Sequence, residues 1–325
     1  MDELDFQILT HLYEDARKPY DAIGRSVSLS GNAVKARVAK MEEEGVLKGF
    51  FGSPAPSLLG MRMCILVFQN VEKLEEREKD ILKNVGSIGP VRTLDITFDN
   101  SVIVSVLHRD EEDLDAIVKR ASELVGKAPG HTIGCPSCAS ESARDVKLGL
   151  VDWRIVKALR KDGRKALKDI VQETGASFKT VKKRLAAMLE KDALHIAPFV
   201  STSEASGLVL FNLMVFLESN RYRHAALSAL PKPYAAWPMD DPPGVSITMF
   251  RPNLRAAQEA RHLVKNLPGV TRTYFKISTR YRYDQWVDEE IARRIASLER
   301  ERQPIVSVPV LTQPAAPAAG RARGS

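Results

Sequence analysis

The sequence lacks the features that mark several classes of protein. Its 325 residues include only three cysteines, too few for the disulfide framework of a secreted domain. No apolar run approaches the roughly 20 residues that a membrane-spanning helix needs. The first seven residues, MDELDFQ, are acidic, whereas a secretory signal has a basic start and an apolar core. These absences predict a cytoplasmic protein that makes no contact with a membrane, and its length allows about two to four domains.

The main positive feature is an internal repeat. Residues 4–47 align with residues 151–194 without a gap, and 15 of the 44 aligned positions are identical. The identities fall on apolar positions and helix ends, for example Ile8 with Ile155 and Ser30 with Ser177. Because a duplicated fold keeps such positions, the chain is expected to contain two copies of one structural unit.

Each copy has the pattern of three short helices. In the second copy, Val181, Leu185 and Met188 recur at spacings of four and three, which is typical of a helix with one buried face. Ser30 precedes the corresponding helix of the first copy, where a serine is a good N-cap, and Gly45 ends it. A strand then follows, so each copy is predicted to be a winged helix-turn-helix.

A second pattern follows each copy. Apolar strands alternate with amphipathic helices in the order βαββαβ, which is the order of a ferredoxin-like unit. The fold class is therefore predicted to be α+β, with two winged helix-turn-helix domains alternating with two ferredoxin-like βαββαβ domains. The predicted segments are helix-turn-helix units at 1–52 and 148–200, βαββαβ domains at 58–136 and 207–282, a linker at 137–147, a C-terminal helix at 283–302 and a disordered tail at 303–325.

These motifs resemble the Lrp/AsnC, or feast/famine, family of transcriptional regulators. The residues that carry the resemblance are Leu4-Asp5-x-x-Ile8-Leu9, Asp15-Ala16-Arg17, Ser30, Val34-x-x-Arg37-Val38 and Glu43-x-Gly45-Val46-Leu47, with Val151-Asp152-x-x-Ile155, Asp162-Gly163-Arg164, Ser177, Val181 and Arg184-Leu185 in the second half. The tandem arrangement is similar to double-length members found in archaea. The resemblance implies a DNA-binding regulator whose βαββαβ modules (RAM domains) sense small molecules and mediate oligomerisation.

The two copies differ in charge. Residues 1–52 carry 7 Lys/Arg and 9 Asp/Glu, a net charge of −2, whereas residues 145–200 carry 13 and 7, a net charge of +6. Because DNA binding is largely electrostatic, the second copy is predicted to bind duplex DNA more strongly. The predicted DNA-binding residues lie on the third helix of each copy: Ser30, Asn32, Lys35 and Lys40 in the first, and Ser177, Lys179, Thr180, Lys182 and Lys183 in the second. Asn32 could contact adenine or serve only in helix initiation.

The arginine at the family's consensus position falls on Arg37 and Arg184. By helical angle, both lie on the flank of the buried face rather than outward. We expect each to pair with an acid of the first helix, Asp5 or Asp152, in preference to a DNA phosphate.

The resemblance also suggests where an effector binds and how the chain pairs. The turn between the second and third sensor strands contains Asp99 and Asn100 in the first half and Asp240 and Asp241 in the second, so these residues are the candidate effector-binding residues.

In the family, two chains pair through their sheets. This chain holds two such units, so we expect an intrachain pseudo-dimer, with further homo-oligomers left open. The expected contacts run between Val102, Ile103, Val104 and Val106 on one side and Val245, Ile247 and Met249 on the other.

Cys135-Pro136-Ser137-Cys138 is a single CxxC motif, with His131 four residues before it. One CxxC supplies only two of the four ligands of a structural zinc site. His131 as a third ligand, a metal shared between chains and a redox role remain alternatives, but inert thiols are the preferred interpretation, and no metal or cofactor is predicted.

Two other functions remain open. Siroheme decarboxylases resemble this architecture and also occur as fused pairs, but their His-Asn-Tyr element has no histidine counterpart at residues 91–94 or 233–236. A protein-interaction scaffold with degenerate DNA-binding domains is the other alternative. The chain also lacks a catalytic triad motif and a glycine-rich phosphate loop, so it is predicted not to be an enzyme.

Overall fold

The computed structural model describes residues 1–135, 143, 146–200, 208–232 and 234–302. The predicted linker lies mostly outside these residues, and the predicted tail lies entirely outside them. The elements of the first half are α1 (Glu3–Glu14), α2 (Tyr20–Ser26), α3 (Gly31–Glu43), β1 (Leu47–Pro54), β2 (Arg62–Phe68), α4 (Leu74–Asn84), β3 (Val91–Thr97), β4 (Val102–His108), α5 (Glu111–Val125) and β5 (His131–Cys135).

The second half repeats this order and adds a helix. Its elements are α6 (Leu150–Leu159), α7 (Leu167–Thr174), α8 (Phe178–Glu190), β6 (Leu194–Val200), β7 (Val209–Leu217), α9 (Arg223–Ser228), β8 (Tyr234–Asp240), β9 (Pro243–Arg251), α10 (Leu254–Lys265), β10 (Val270–Arg282) and α11 (Trp286–Arg302). The α+β fold class with two helix-turn-helix units and two βαββαβ units is confirmed. Within the described ranges, no helix combines the length and apolar character that crossing a membrane requires.

Local side-chain chemistry explains where α1 begins. The Asp2 carboxylate accepts a hydrogen bond from the Asp5 amide at 2.9 Å, and the Asp5 carboxylate accepts one from the Asp2 amide at 3.0 Å. This reciprocal capping satisfies amides that have no partner inside the helix. Ile8, Leu9 and Leu12 then form the buried face of α1.

The eight strands of the two βαββαβ units form one continuous sheet. Its order is β5-β2-β4-β3-β10-β7-β9-β8, so each half keeps the ferredoxin-like order and β3 pairs antiparallel with β10 across the halves. The two outer strands, β5 and β8, lie side by side. The sheet therefore curls round, and the predicted intrachain pairing of the two βαββαβ units is present.

The two halves of the sheet meet through other residues than we expected, and Ile103 is the one expected residue that lies in their shared core. The inner faces contribute Ile65 and Ile103 from the first half and Leu210 and Met214 from the second to one shared core. Successive strand residues point to opposite faces, and α4 and α5 or α9 and α10 cover the other face of each sheet. The other six predicted contact residues therefore pack beneath the helices of their own half: Val102, Val104 and Val106 in one core, and Val245, Ile247 and Met249 in another.

The strands that follow the two helix-turn-helix units also differ from expectation. We expected each strand to start a wing within its own unit. Instead, β1 pairs antiparallel with β6, and Phe50 lies opposite Pro198 while Phe51 lies opposite Ala197. Positions 50 and 51 of the repeat correspond to Ala197 and Pro198, so the pairing is reciprocal. This two-stranded ribbon connects the two helix-turn-helix units directly.

The helix α11 holds the second helix-turn-helix against the sheet. Arg160, at the end of α6, is 4% exposed and donates to Asp288 at 2.8 Å, to Asp284 at 3.2 Å and to the Gly52 carbonyl at 2.7 Å. Trp286 donates from Nε1 to the Val91 carbonyl on β3 at 2.8 Å. The orientation of the second unit is therefore fixed by β1, β3 and α11 together.

Candidate nucleic-acid interface

Serine caps begin both third helices. The Ser30 hydroxyl accepts the Ala33 amide at 3.1 Å, and the Ser177 hydroxyl accepts the Thr180 amide at 3.2 Å. Both serines, which we predicted to contact DNA, thus have a structural role. Their exposure leaves room for a phosphate beside the free amides of the first helical turn.

The helix α8 separates an apolar face from a basic one. Val181, Leu185 and Met188 are buried, as the spacing predicts. Lys179, Lys182 and Lys183 are exposed, and none of the three has an acidic partner within 4.0 Å among the ion pairs of the described residues. Thr180 is only half exposed, and its hydroxyl lies 2.9 Å from that of Ser177. The three lysines therefore form the surface of α8 that is available to a polyanion.

The helix α3 offers a weaker basic surface. Asn32, Lys35 and Lys40 are exposed as predicted. Lys40, however, lies 3.6 Å from Glu44 in an ion pair, and Glu42 and Glu43 are exposed beside it. The helix α3 thus offers fewer positive charges to DNA phosphates than α8 does.

Arg37 and Arg184 pair with first-helix acids, as expected. Arg37 donates at 2.8 Å to both Asp2 and Asp5, and Arg184 donates to Asp152 at 3.1 Å. The Asp5 amide and then the Arg37 guanidinium lower the pKa of Asp2. Each arginine therefore fastens a third helix to the first helix of its own unit.

A second pair of arginines joins the two units. Arg17 donates to the carbonyls of Gly163 and Lys165, the latter at 2.9 Å. Arg164 donates to the carbonyls of Ala16 and Lys18, the latter at 3.0 Å. Burial and the neighbouring Arg164 charge lower the pKa of Arg17. The sequence shows that arginine occupies the same position in both copies, but it does not show that each arginine bonds to the other copy.

The predicted effector-binding residues lie in two exposed turns. The Asp99 carboxylate accepts from Lys276 on β10 and from the Thr97 hydroxyl. Burial alone would raise the pKa of Asp99, but Lys276 and Thr97 outweigh it and lower the pKa. Asp240 accepts from Arg223 at 2.8 Å. Asn100 and Asp241 are exposed. Effector binding by these four residues stays a prediction.

A cavity of about 570 Å³ lies between the β1–β6 ribbon and the curled sheet. Apolar side chains such as Met63 and Leu210 line it together with a polar network centred on Arg280. Arg280 donates to Asp95 at 2.7 and 2.9 Å and to Asn212 at 3.1 Å. The volume falls within the range of pockets that hold small organic molecules. The cavity lining does not include the two turns with the predicted effector-binding residues.

The CxxC motif falls largely outside the described residues, because Cys138 lies beyond them. His131 packs its ring 5.8 Å from Tyr274 and 6.2 Å from Phe216. Burial and the charge of Arg272 lower the pKa of His131. In the part of the chain that the structure describes, no three metal-ligating side chains cluster.

Comparison with known proteins supports the helix-turn-helix assignment. Residues 1–42 match the AsnC-type helix-turn-helix domain. The HTH-type transcriptional regulator LrpA of Pyrococcus horikoshii is 30% identical over 145 residues, which are 44% of this chain and 99% of that protein. The HTH-type transcriptional regulator Rv2324 of Mycobacterium tuberculosis is 32% identical over 122 residues, or 37% of this chain and 81% of that protein.

A solved structure shares the double-length architecture. The crystal structure of the siroheme decarboxylase NirDL superposes with a TM-score of 0.51 over 92% of this chain and 99% of that chain, at 13% identity. At this identity the likeness concerns the fold alone. The relatives that resemble this chain in sequence are named as transcriptional regulators, which confirms the prediction that the chain is not an enzyme.

Proposed function

This chain belongs to the Lrp/AsnC family of transcriptional regulators, and we propose that it binds double-stranded DNA with both of its helix-turn-helix units at once. One chain then performs what two separate chains would perform in a dimer of single-length regulators. Its place of action is the cytoplasm, where it has access to the DNA. Further association of whole chains is compatible with this arrangement.

The observation that carries the proposal is the basic surface of α8. Lys179, Lys182 and Lys183 are exposed on the side of the helix opposite its buried residues. A helix with this division fits the major groove of B-DNA, in which its lysines reach phosphates on either side. The reciprocal bonds of Arg17 and Arg164 support the use of both units together, because they fix one relative to the other.

The test is a titration of the purified chain with duplex DNA at several salt concentrations. We expect the logarithm of the association constant to fall linearly as the logarithm of the salt concentration rises, because bound lysines release counterions from the phosphates. Sequence preference is measured in parallel by selection from random DNA. If the purified chain bound no duplex DNA even at low salt, the proposed function would be contradicted.

The cavity supports a response to a small molecule. A ligand in the cavity would touch both the sheet and the β1–β6 ribbon, which connects the two helix-turn-helix units. The two turns with Asp99 and Asp240 are the alternative location. Small molecules retained from a cell extract can be identified by mass spectrometry for three proteins. These are the wild type, Ser105→Trp, which places an indole ring on the cavity wall and narrows the cavity, and Asp99→Ala with Asp240→Ala, which alters the turns.

The three proteins distinguish the two locations. Loss of the retained molecule in Ser105→Trp alone assigns the effector to the cavity, whereas loss in the turn variant alone assigns it to the turns. Retention of no molecule by the wild type would contradict effector binding and would leave the DNA-binding proposal unaffected.

A further inference from the structure

Phe178 is an exposed aromatic residue in the first turn of α8. Its side chain is 54% exposed, although burial of a phenylalanine side chain is ordinarily favourable. It follows the capping Ser177 and precedes Lys179. The first residues of a recognition helix are the ones that contact base edges in helix-turn-helix proteins. Phe178 thus stands where sequence readout occurs.

The surroundings of Phe178 specify the kind of partner. Lys179, Lys182 and Lys183 lie on the exposed side of the same helix, and Lys182 is one turn beyond Phe178. An apolar group within a basic surface fits a partner that presents an apolar patch among negative charges. In the major groove, the thymine methyl group is such a patch, and phenylalanine is one of the side chains that contact it.

The first copy cannot make this contact. Its aligned residue is Gly31, and a Cβ atom there would lie 1.8 Å from Oδ1 and 3.0 Å from the backbone nitrogen of Asp21. The residue that aligns with Asp21 in the second copy is Lys168, which is exposed. The first helix-turn-helix is therefore built without a side chain at this position, and the second is built with an aromatic ring.

We infer that Phe178 is a specificity-determining residue that recognises a thymine methyl group in the half-site bound by α8, with no counterpart in the half-site bound by α3. The inference rests on the proposed DNA binding. It gives the two halves of the operator different sequence preferences at equivalent positions. The charged residues supply affinity, and Phe178 supplies discrimination.

The experiment starts from the DNA site selected by the wild-type chain. Each thymine of the site is replaced singly by deoxyuridine, which removes only the methyl group and keeps base pairing. For wild type, we expect one replacement in one half-site to weaken binding about threefold to fivefold, the effect of a single buried methyl group. For Phe178→Ala, the same replacement should have no effect. Phe178→Leu keeps an apolar side chain and should retain part of the discrimination.

Melting temperatures control for folding, because a half-exposed side chain should be removable without loss of stability. The inference is overturned if wild type binds all deoxyuridine sites equally, or if Phe178→Ala keeps the wild-type preference for thymine. In either case the chain still binds DNA and the proposed function stands. If the chain binds no DNA at all, the proposed function fails, and the role of Phe178 fails with it.

Discussion

Arg17 and Arg164 make the same bonds in opposite directions. Arg17 reaches the carbonyls of residues 163 and 165, and Arg164 reaches those of residues 16 and 18, which are the aligned positions of the other copy. Such reciprocity is the mark of an isologous interface between two equal subunits. Here the two subunits are halves of one chain, so a symmetric contact is made without a second molecule.

Replacement of both arginines should loosen the helix-turn-helix pair. Each bond from a guanidinium to a carbonyl contributes about 1.5–3 kcal/mol at best, and the partial exposure of these groups lowers that figure. We expect Arg17→Ala with Arg164→Ala to reduce the free energy of unfolding by about 2–4 kcal/mol. Binding to DNA with both half-sites should weaken more than binding to a single half-site. Arg109→Ala replaces an exposed arginine outside both helix-turn-helix units; it is the control and should change neither quantity.

The lysines of α8 should contribute more to DNA binding than those of α3. Lys179, Lys182 and Lys183 changed together to alanine should flatten the salt dependence by about 2–3 units of slope, since each lost phosphate contact removes about 0.9. Lys35 and Lys40 changed together should cost less affinity, because Lys40 already pairs with Glu44. A triple variant at Lys79, Lys83 and Lys119 removes the same charge from the surface of α4 and α5 and is the matched control. A larger loss from the α3 lysines would show that base contacts by the first copy dominate.

Arg184→Ala separates a structural role from a phosphate contact. Asp152 is buried, whereas the Arg184 side chain is 55% exposed, so solvent screens part of their attraction. We expect a loss of roughly 1 kcal/mol in the free energy of unfolding and an unchanged salt slope. Lys183→Ala, at the neighbouring position, should show the opposite pattern. A flattened slope for Arg184→Ala would assign this arginine to the DNA surface instead.

Asp284 should make stability depend on pH in the acid range. Burial raises the pKa of Asp284, but the Arg282 and Arg160 guanidinium groups outweigh it, and the net effect holds the pKa of this carboxyl below its usual value. The unfolded chain therefore binds this proton at higher pH than the folded chain. The resulting stabilisation is complete above the unfolded pKa and is lost as the pH falls through the folded pKa. The free energy of unfolding of Asp284→Asn, measured by denaturation, should therefore differ less between pH 7 and pH 3 than that of wild type does.

The operator should be asymmetric. Two-fold symmetric dimers bind palindromic sites, whereas this pseudo-dimer presents Gly31-Asn32-Ala33 on one helix and Phe178-Lys179-Thr180 on the other. Selection from random DNA should yield two unlike half-sites, separated by about one helical turn or a multiple of it. A strongly palindromic consensus would indicate instead that equivalent units of two chains bind the DNA.

The repeat and its periodicity were sufficient to predict the elements. The spacing of Val181, Leu185 and Met188 is a local property, as is the cap at Ser30, and both are found as predicted. The pairing of Arg184 with Asp152 also followed from helical angle, because both residues lie within one small unit whose geometry the motif specifies. Exposure of the α8 lysines followed from the same periodicity.

The contacts between the halves were decided by the tertiary structure. Strand alternation shows that Val102 and Ile103 face opposite ways, but not which face the helices cover, so most of the expected contacts between the sheets were wrong. The partner of β1 was also undetermined, because an edge strand can pair with any other free edge. The reciprocal hydrogen bonds of Arg17 and Arg164 require that two units 147 residues apart in sequence meet about an approximate twofold axis. The sequence determined by itself the units and their faces, because these depend on neighbours along the chain. Only folding decided the ribbon, the curled sheet and its cavity, because they depend on residues that are distant in sequence.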